Sequence, residues 1–191
     1  LFFLRSTGLL DSKASEAFDR ITRLAAELFQ VPIALVSLGE EKRQWFKSCV
    51  GLEPRETERS VSFCTHTIER ATALVVEDAV QDARFADNPL VTGYPGIRFY
   101  AGVPLRLPSG HALGSLCIID SQPRSFSDAE LQRLQDLGAL VMAQIDLHQM
   151  AGRVHEVTRL PNRGQLGEDL LEACTAEPAA PRLLMLLDVM S

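Results

Sequence analysis

The sequence contains no apolar run approaching the roughly 18 residues of a membrane-spanning helix, which excludes a helical span. It has no initiator methionine, and the opening Leu1-Phe2-Phe3-Leu4 is too short for a secretory signal core, so an excised piece of a longer chain is expected. It has no Cys-x-x-Cys pair: Cys49, Cys64, Cys117 and Cys174 are widely scattered. Neither a zinc knuckle nor a disulfide framework is indicated, and a reducing cytoplasm is the expected location. Positive charge is in deficit, with 19 Lys and Arg against 25 Asp and Glu and a net charge of −6, which argues against binding nucleic-acid backbone. No Gly-rich phosphate loop, paired-carboxylate signature, internal repeat or low-complexity tract is present.

The chain does have the composition of a folded protein, with 46% hydrophobic, 23% charged and 6% aromatic residues in 191 positions. On a prior of roughly 150 residues per domain, that is one complete domain and part of another. Phe18, Ile21, Leu24, Ala25 and Leu28 recur at helical spacing, so a helix is predicted over 15–30, with Ser15 as a cap and Pro32 as its stop. Residues 33–38 and 44–50 read as two strands of a hairpin around a polar turn, and 51–62 as irregular. Ser60 or Ser62 can cap a short helix running to about Ala71, and 74–76 is a brief strand. The polar stretch 77–96 is long for an idle loop. Residues 97–107 alternate, with Ile97, Phe99, Ala101, Val103 and Leu105 on one face and Arg98, Tyr100 and Arg106 on the other. Residues 112–119 form the return strand.

A long helix starts at Ser127, where Ser127-Asp128-Ala129-Glu130 resembles a capping box. It carries two apolar stripes. Leu131, Leu134, Gly138, Val141 and Ile145 suit a sheet surface. Leu140, Ala143, Leu147, Met150, Val154 and Val157 follow heptad spacing for about two and a half heptads and are the expected seam of a parallel homodimer. Leu160-Pro161-Asn162 breaks this helix. A further helix to about Cys174, a Pro/Ala linker and a buried-type strand over 183–189 follow.

Three stretches resemble the GAF sensor-domain family: Arg43-Gln44-Trp45-Phe46-Lys47, Ser62-Phe63-Cys64-Thr65-His66, and Ala83-Arg84-Phe85-Ala86-Asp87-Asn88-Pro89. The hairpin 96–120, with Arg98-Phe99-Tyr100-Ala101-Gly102 and Gly114-Ser115-Leu116-Cys117-Ile118, is similar to the same group. The resemblance spans about 10–150. It implies an α+β fold: a six-stranded antiparallel sheet with helices on one face and a small-molecule pocket on the other, then a long signalling helix with its linker at 151–160. A second resemblance, over 161–191 with its lead-in, is to the start of a GGDEF diguanylate cyclase domain. It rests on Thr158-Arg159-Leu160-Pro161-Asn162-Arg163 and Leu184-Met185-Leu186-Leu187-Asp188. His155, Val157 and Arg159 stand where that family usually has Asp, Leu and Gly. Asp188 matches its magnesium-binding aspartate, and Met190 occupies the next acidic position. The signature motif would lie beyond Ser191.

These resemblances imply a cytoplasmic homodimeric sensor that binds an unknown small molecule and controls synthesis of cyclic di-GMP. Mg2+ and GTP belong to the intact cyclase, and this chain alone is expected to have no activity. The candidate ligand-binding residues are Phe63, His66, Thr67, Arg98, Tyr100 and Cys117. On the short helix running to about Ala71, Cys64, Ile68 and Ala71 share an apolar face, and Phe63, His66, Thr67 and Arg70 share the other. Cys64 and His66 lie about 200° apart around the axis and cannot chelate one ion. Arg98 can pair with an anionic ligand or fix the 82–88 loop by a salt bridge. Trp45 fits a rim or interface position or, equally, a platform for the ligand, and His111 a solvated turn. Two rival readings are a ligand-free dimerisation module and a cysteine-based reductase of methionine sulfoxide. The latter needs a reactive cysteine cluster, and Cys49, Cys64 and Cys117 are not neighbours in sequence.

Overall fold

The computed structural model describes residues 8–153. Val154, Val157, the Leu-Pro-Asn-Arg segment, Cys174, the strand expected at 183–189 and Asp188 lie outside the described residues. The described elements run α1 (Glu16–Phe29), β1 (Ile33–Gly39), β2 (Arg43–Val50), β3 (Glu56–Glu58), a 3-10 turn (Arg59–Val61), α2 (Phe63–Arg70), β4 (Leu74–Val76), α3 (Pro89–Thr92), β5 (Phe99–Arg106), β6 (Ala112–Asp120) and α4 (Asp128–Arg153). The strands form one six-stranded sheet in the order β3-β2-β1-β6-β5-β4, with antiparallel pairing throughout. The class is α+β, as the resemblance implied.

Helix α1 ends at Gln30, which takes a left-handed conformation before Pro32 can act. Ser15 precedes the helix in extended geometry without a capping hydrogen bond from its side chain. The buried face is Phe18, Thr22, Ala25 and Phe29, which keeps Phe18 and Ala25 of the predicted stripe but is rotated so that Thr22 and Phe29 replace Leu24 and Leu28. Leu24 and Leu28 are half exposed. The cause is polar: Thr22 Oγ1 meets Ser48 Oγ of β2 at 2.7 Å beneath the helix, and apolar periodicity does not register such a pair.

The stretch 51–62, expected to be irregular, contains β3 and the 3-10 turn, and α3 was likewise not anticipated. These pieces are three or four residues long, too short for either period to show. Each has a local cause nonetheless. Asn88 Oδ1 accepts from Leu90 N at 2.8 Å to start α3, and Asn88 Nδ2 donates to Val61 O at 2.9 Å, tying the 82–97 loop to the turn.

One face of the sheet is covered by α1 and α4. Phe18, Ala25, Phe29, Leu134, Val141 and Ile145 pack there on Val36, Leu38, Phe99, Ala101, Val103, Leu105, Leu116 and Ile118. The other face is covered by α2 and the 77–97 loop, with Phe63, Cys64, Phe85 and Val91 on Leu35, Phe46, Tyr100, Cys117 and Ile119. Each buried Val, Leu, Ile or Phe among these contributes roughly 1.5–3 kcal/mol by burial. In β5 the parity of Phe99, Ala101, Val103 and Leu105 against Tyr100 is as expected. Ile97 breaks it: the strand starts only at Phe99, and Ile97 packs with Tyr100 on the opposite face.

At α4 the capping box forms in full. Ser127 N donates to Glu130 Oε2 at 2.8 Å, and Glu130 N donates to Ser127 Oγ at 3.3 Å. Leu134, Leu137, Gly138, Val141 and Ile145 are buried, while Leu140, Ala143, Leu147 and Met150 are exposed. Gly138 allows the close approach: a Cβ there would stand 3.0 Å from Val103 Cγ2.

Candidate functional site

Helix α2 lies across β5 and β6 and turns Phe63, Cys64 and Thr67 inward together. The division expected from sequence, with Cys64 on one face and Phe63 and Thr67 on the other, does not hold. A helix lying on a sheet buries a broad stripe, and 63, 64 and 67 are adjacent on it. Tyr100 lies along the sheet, and its hydroxyl meets Thr67 Oγ1 at 2.9 Å. Gly102 makes this possible, because a Cβ there would stand 2.2 Å from the Tyr100 hydroxyl oxygen. Phe63 stacks on Phe85 with ring centroids 4.1 Å apart and tilts against Tyr100 at 5.2 Å. Half-buried His66 meets the Phe85 ring edge-on at 5.0 Å.

These rings fill most of the space expected to hold a ligand. What remains is a cavity of about 40 Å³ lined by Leu35, Phe46, Phe63, Cys64, Ile97 and Tyr100, with half-buried Leu52, Thr57, Leu90 and Pro95 at its side. Of the six sequence-predicted site residues, Phe63 and Tyr100 line this cavity, and Thr67 and Cys117 sit behind them. His66 caps Phe85, and Arg98 is elsewhere.

Arg98 forms a two-point ion pair with Asp78, Nε to Oδ1 at 2.7 Å and Nη2 to Oδ2 at 2.8 Å. Its partner is thus Asp78, outside the 82–88 loop named as the alternative, and its charge is matched within the fold. The Arg98 guanidinium holds the Asp78 carboxyl down at about 2, below its ordinary 3.8. A depressed folded-state pKa stabilises above the ordinary value and is lost as pH falls through about 2. Asp78→Asn is therefore expected to lower Tm at pH 7, with the gap to wild type shrinking in melts between pH 4 and pH 2. A gap independent of pH would refute the ion pair as its cause.

The structure also brings together what sequence distance concealed. Cys64 Sγ and Cys117 Sγ, 53 residues apart in the chain, stand 3.6 Å apart and fully buried. Cys49 is not part of the pair: Leu35 lies between it and Cys117 in the β2-β1-β6 register. The Cys117 thiol, followed by the Ser115, Tyr100 and Ser37 hydroxyls, holds the Cys64 pKa below the ordinary thiol range against the effect of burial. Burial and the neighbouring Cys64 push Cys117 up, and burial pushes Cys49 up. An inward position on α2 and the parity of β6 were the only sequence signals for this contact.

The remaining motif residues build the scaffold. Gln44 Oε1 accepts from Ser37 Oγ at 2.7 Å, and Gln44 Nε2 donates to Thr65 Oγ1 at 3.3 Å, linking β2, β1 and α2. Lys47 Nζ donates to Ser12 Oγ at 2.6 Å and to Lys13 O at 2.8 Å, pinning the segment before α1. Trp45 is buried in the core beneath the helices, inside the rim position weighed from sequence. His111 is exposed at its turn. A larger groove near β3 is lined by charges that pair with one another, Arg43 with Glu40 and Glu56, and Arg59 with Glu69.

Among proteins of known kind, the chain is 43% identical over 169 residues to a cyclic di-GMP phosphodiesterase of Pseudomonas aeruginosa, covering 88% of this chain and 29% of that protein. The chain thus spans under a third of that relative's length. Its fold is similar to the GAF domain of an Acinetobacter phosphoenolpyruvate-protein phosphotransferase, with TM-score 0.59, 21% identity, and 79% and 95% of the two chains covered. It is also similar to the free methionine-R-sulfoxide reductase of Neisseria meningitidis, with TM-score 0.59, 12% identity, and 77% and 87% covered. Residues 14–145 match the GAF domain family, and the chain belongs to it.

Proposed function

We propose that this chain is the cytoplasmic regulatory module of a protein that turns over cyclic di-GMP, working as a homodimer joined along α4. The observation that carries the pairing is the exposure of Leu140 (54%), Leu147 (58%) and Met150 (64%) at heptad spacing while Leu134, Val141 and Ile145 bury on the sheet. Leu24 and Leu28 of α1, which packs on the same face of the sheet as α4, are half exposed as well. A second copy fits such a seam because heptad spacing is self-complementary in a parallel pair.

The output rests on likeness. The 169-residue match to the phosphodiesterase cannot fit before residue 145, so it continues into the stretch that carries Leu-Pro-Asn-Arg. Synthesis is the reading that the GGDEF resemblance and Asp188 support, with GTP and Mg2+ supplied to the intact domain. Hydrolysis is the reading that the relative's activity supports. The input is a molecule of a few heavy atoms, since a 40 Å³ apolar cavity admits nothing larger unless Phe63, Phe85 and Tyr100 separate.

Light scattering of the chain at tens of micromolar is expected to give a dimer. Leu147→Glu is expected to weaken it on the order of 100-fold, because an unpaired carboxylate in an apolar seam costs several kcal/mol. A monomeric wild type would overturn the pairing. Offering GTP with Mg2+ and, separately, cyclic di-GMP to the protein bearing this module distinguishes synthesis from hydrolysis. Leu147→Glu is expected to change whichever rate is found.

A further inference from the structure

We propose that Cys64 and Cys117 form a peroxide-reactive dithiol, and that the cavity beside Cys64 is where hydrogen peroxide or a small organic hydroperoxide is received. Three observations converge. The two sulfurs stand 3.6 Å apart on different elements, α2 and β6, so a bond between them joins the helix to the middle of the sheet. Cys64 also lines the cavity of about 40 Å³, above the roughly 10–15 Å³ that one water needs, and hydrogen peroxide has only two heavy atoms. Ser115 Oγ on β6, two residues before Cys117, is fully buried and has no hydrogen-bond partner among the described residues. It is one of the groups that favour charge on Cys64, so a thiolate there gives this hydroxyl a much stronger acceptor than the neutral thiol's sulfur.

The chemistry balances with peroxide as the only co-reactant. The Cys64 thiolate attacks one peroxide oxygen, the O–O bond breaks, and the departing hydroxide takes up a proton as water, leaving Cys64 as a sulfenic acid. Cys117 sulfur then attacks the Cys64 sulfur. The S–S bond forms, the S–O bond breaks, and a second water leaves with the Cys117 proton. Two thiols lose two electrons in total, and the peroxide gains them. A disulfide of about 2.0 Å draws α2 toward β6 from the present 3.6 Å. That movement acts on Phe63 and Thr67, which hold Phe85 and Tyr100 in place.

The proposal names a class of molecule for the input cavity of the proposed function, but its chemical test does not involve dimer state or cyclic di-GMP. The reduced 191-residue chain is treated with hydrogen peroxide, unfolded, alkylated and weighed. The expected result is loss of two hydrogens and of two alkylatable thiols, with peptide mapping that joins Cys64 to Cys117 and reversal by dithiothreitol. Cys49→Ser is expected to behave as wild type, and Cys117→Ala to trap a Cys64 sulfenic acid that dimedone, present as the chain is unfolded, labels. Four alkylatable thiols after treatment, or a bond that involves Cys49 or Cys174, would overturn the proposal. The wild-type mass reads this directly, so a variant that fails to fold does not obscure it. Oxidation with no change in pairing or turnover would leave the dithiol standing and count against the regulatory reading alone.

Discussion

Gly114→Ala is expected to be among the most damaging conservative substitutions in the domain. Gly114 sits in β6 opposite Leu38 of β1 and Leu105 of β5, in the middle of the sheet. A Cβ at this position would stand 2.0 Å from the Ser37 carbonyl oxygen. The obstacle is backbone, so no rotamer change relieves it. The strands must separate, and with them the β1–β6 pairing on which both faces depend. Overpacking of this kind costs about 3 kcal/mol or more, or roughly 10 °C in Tm for a chain of this size. Urea unfolding followed by circular dichroism measures it. A loss under about 1 kcal/mol would mean that β1 and β6 can move apart freely.

Phe63→Ala is expected to cost about 3–5 kcal/mol, the usual range for deleting a buried aromatic ring. Phe63 is 2% exposed and touches Phe85 and Tyr100, so its removal also takes away two ring contacts. The functional consequence is the more informative one. The variant merges the space of a phenyl ring with the 40 Å³ cavity, and an apolar cavity of that kind binds small aromatic molecules. Benzene is therefore expected to raise the Tm of Phe63→Ala and to leave wild type unchanged. An equal response in both would show that the rings already separate readily and that the pocket accepts larger ligands than its resting volume indicates.

Much of the fold was legible because it rests on periodicity. The alternation of Phe99, Ala101, Val103 and Leu105, and the change of stripe along α4 from Leu134 and Val141 to Leu140 and Leu147, each report a face directly. The Ser127–Glu130 cap was legible because it is a local exchange of hydrogen bonds over three residues. The candidate site was less so. The parity of Tyr100 was right, and that of Arg98 was of little use, since its partner Asp78 lies 20 residues away in a loop without a pattern.

The sequence by itself determined the sheet-facing strands, the two faces of α4 and the family, because these follow from side-chain spacing and from short contiguous words. Only the tertiary structure decided how the α2 side of the sheet is filled. That outcome depends on where α2 and the 77–97 loop set down Phe63 and Phe85 against Tyr100 of β5, and on a glycine at 102 that lets Tyr100 lie flat. It also decided that two cysteines 53 residues apart face each other across 3.6 Å. Contacts between elements depend on how those elements are placed, and chain spacing carries no measure of that distance.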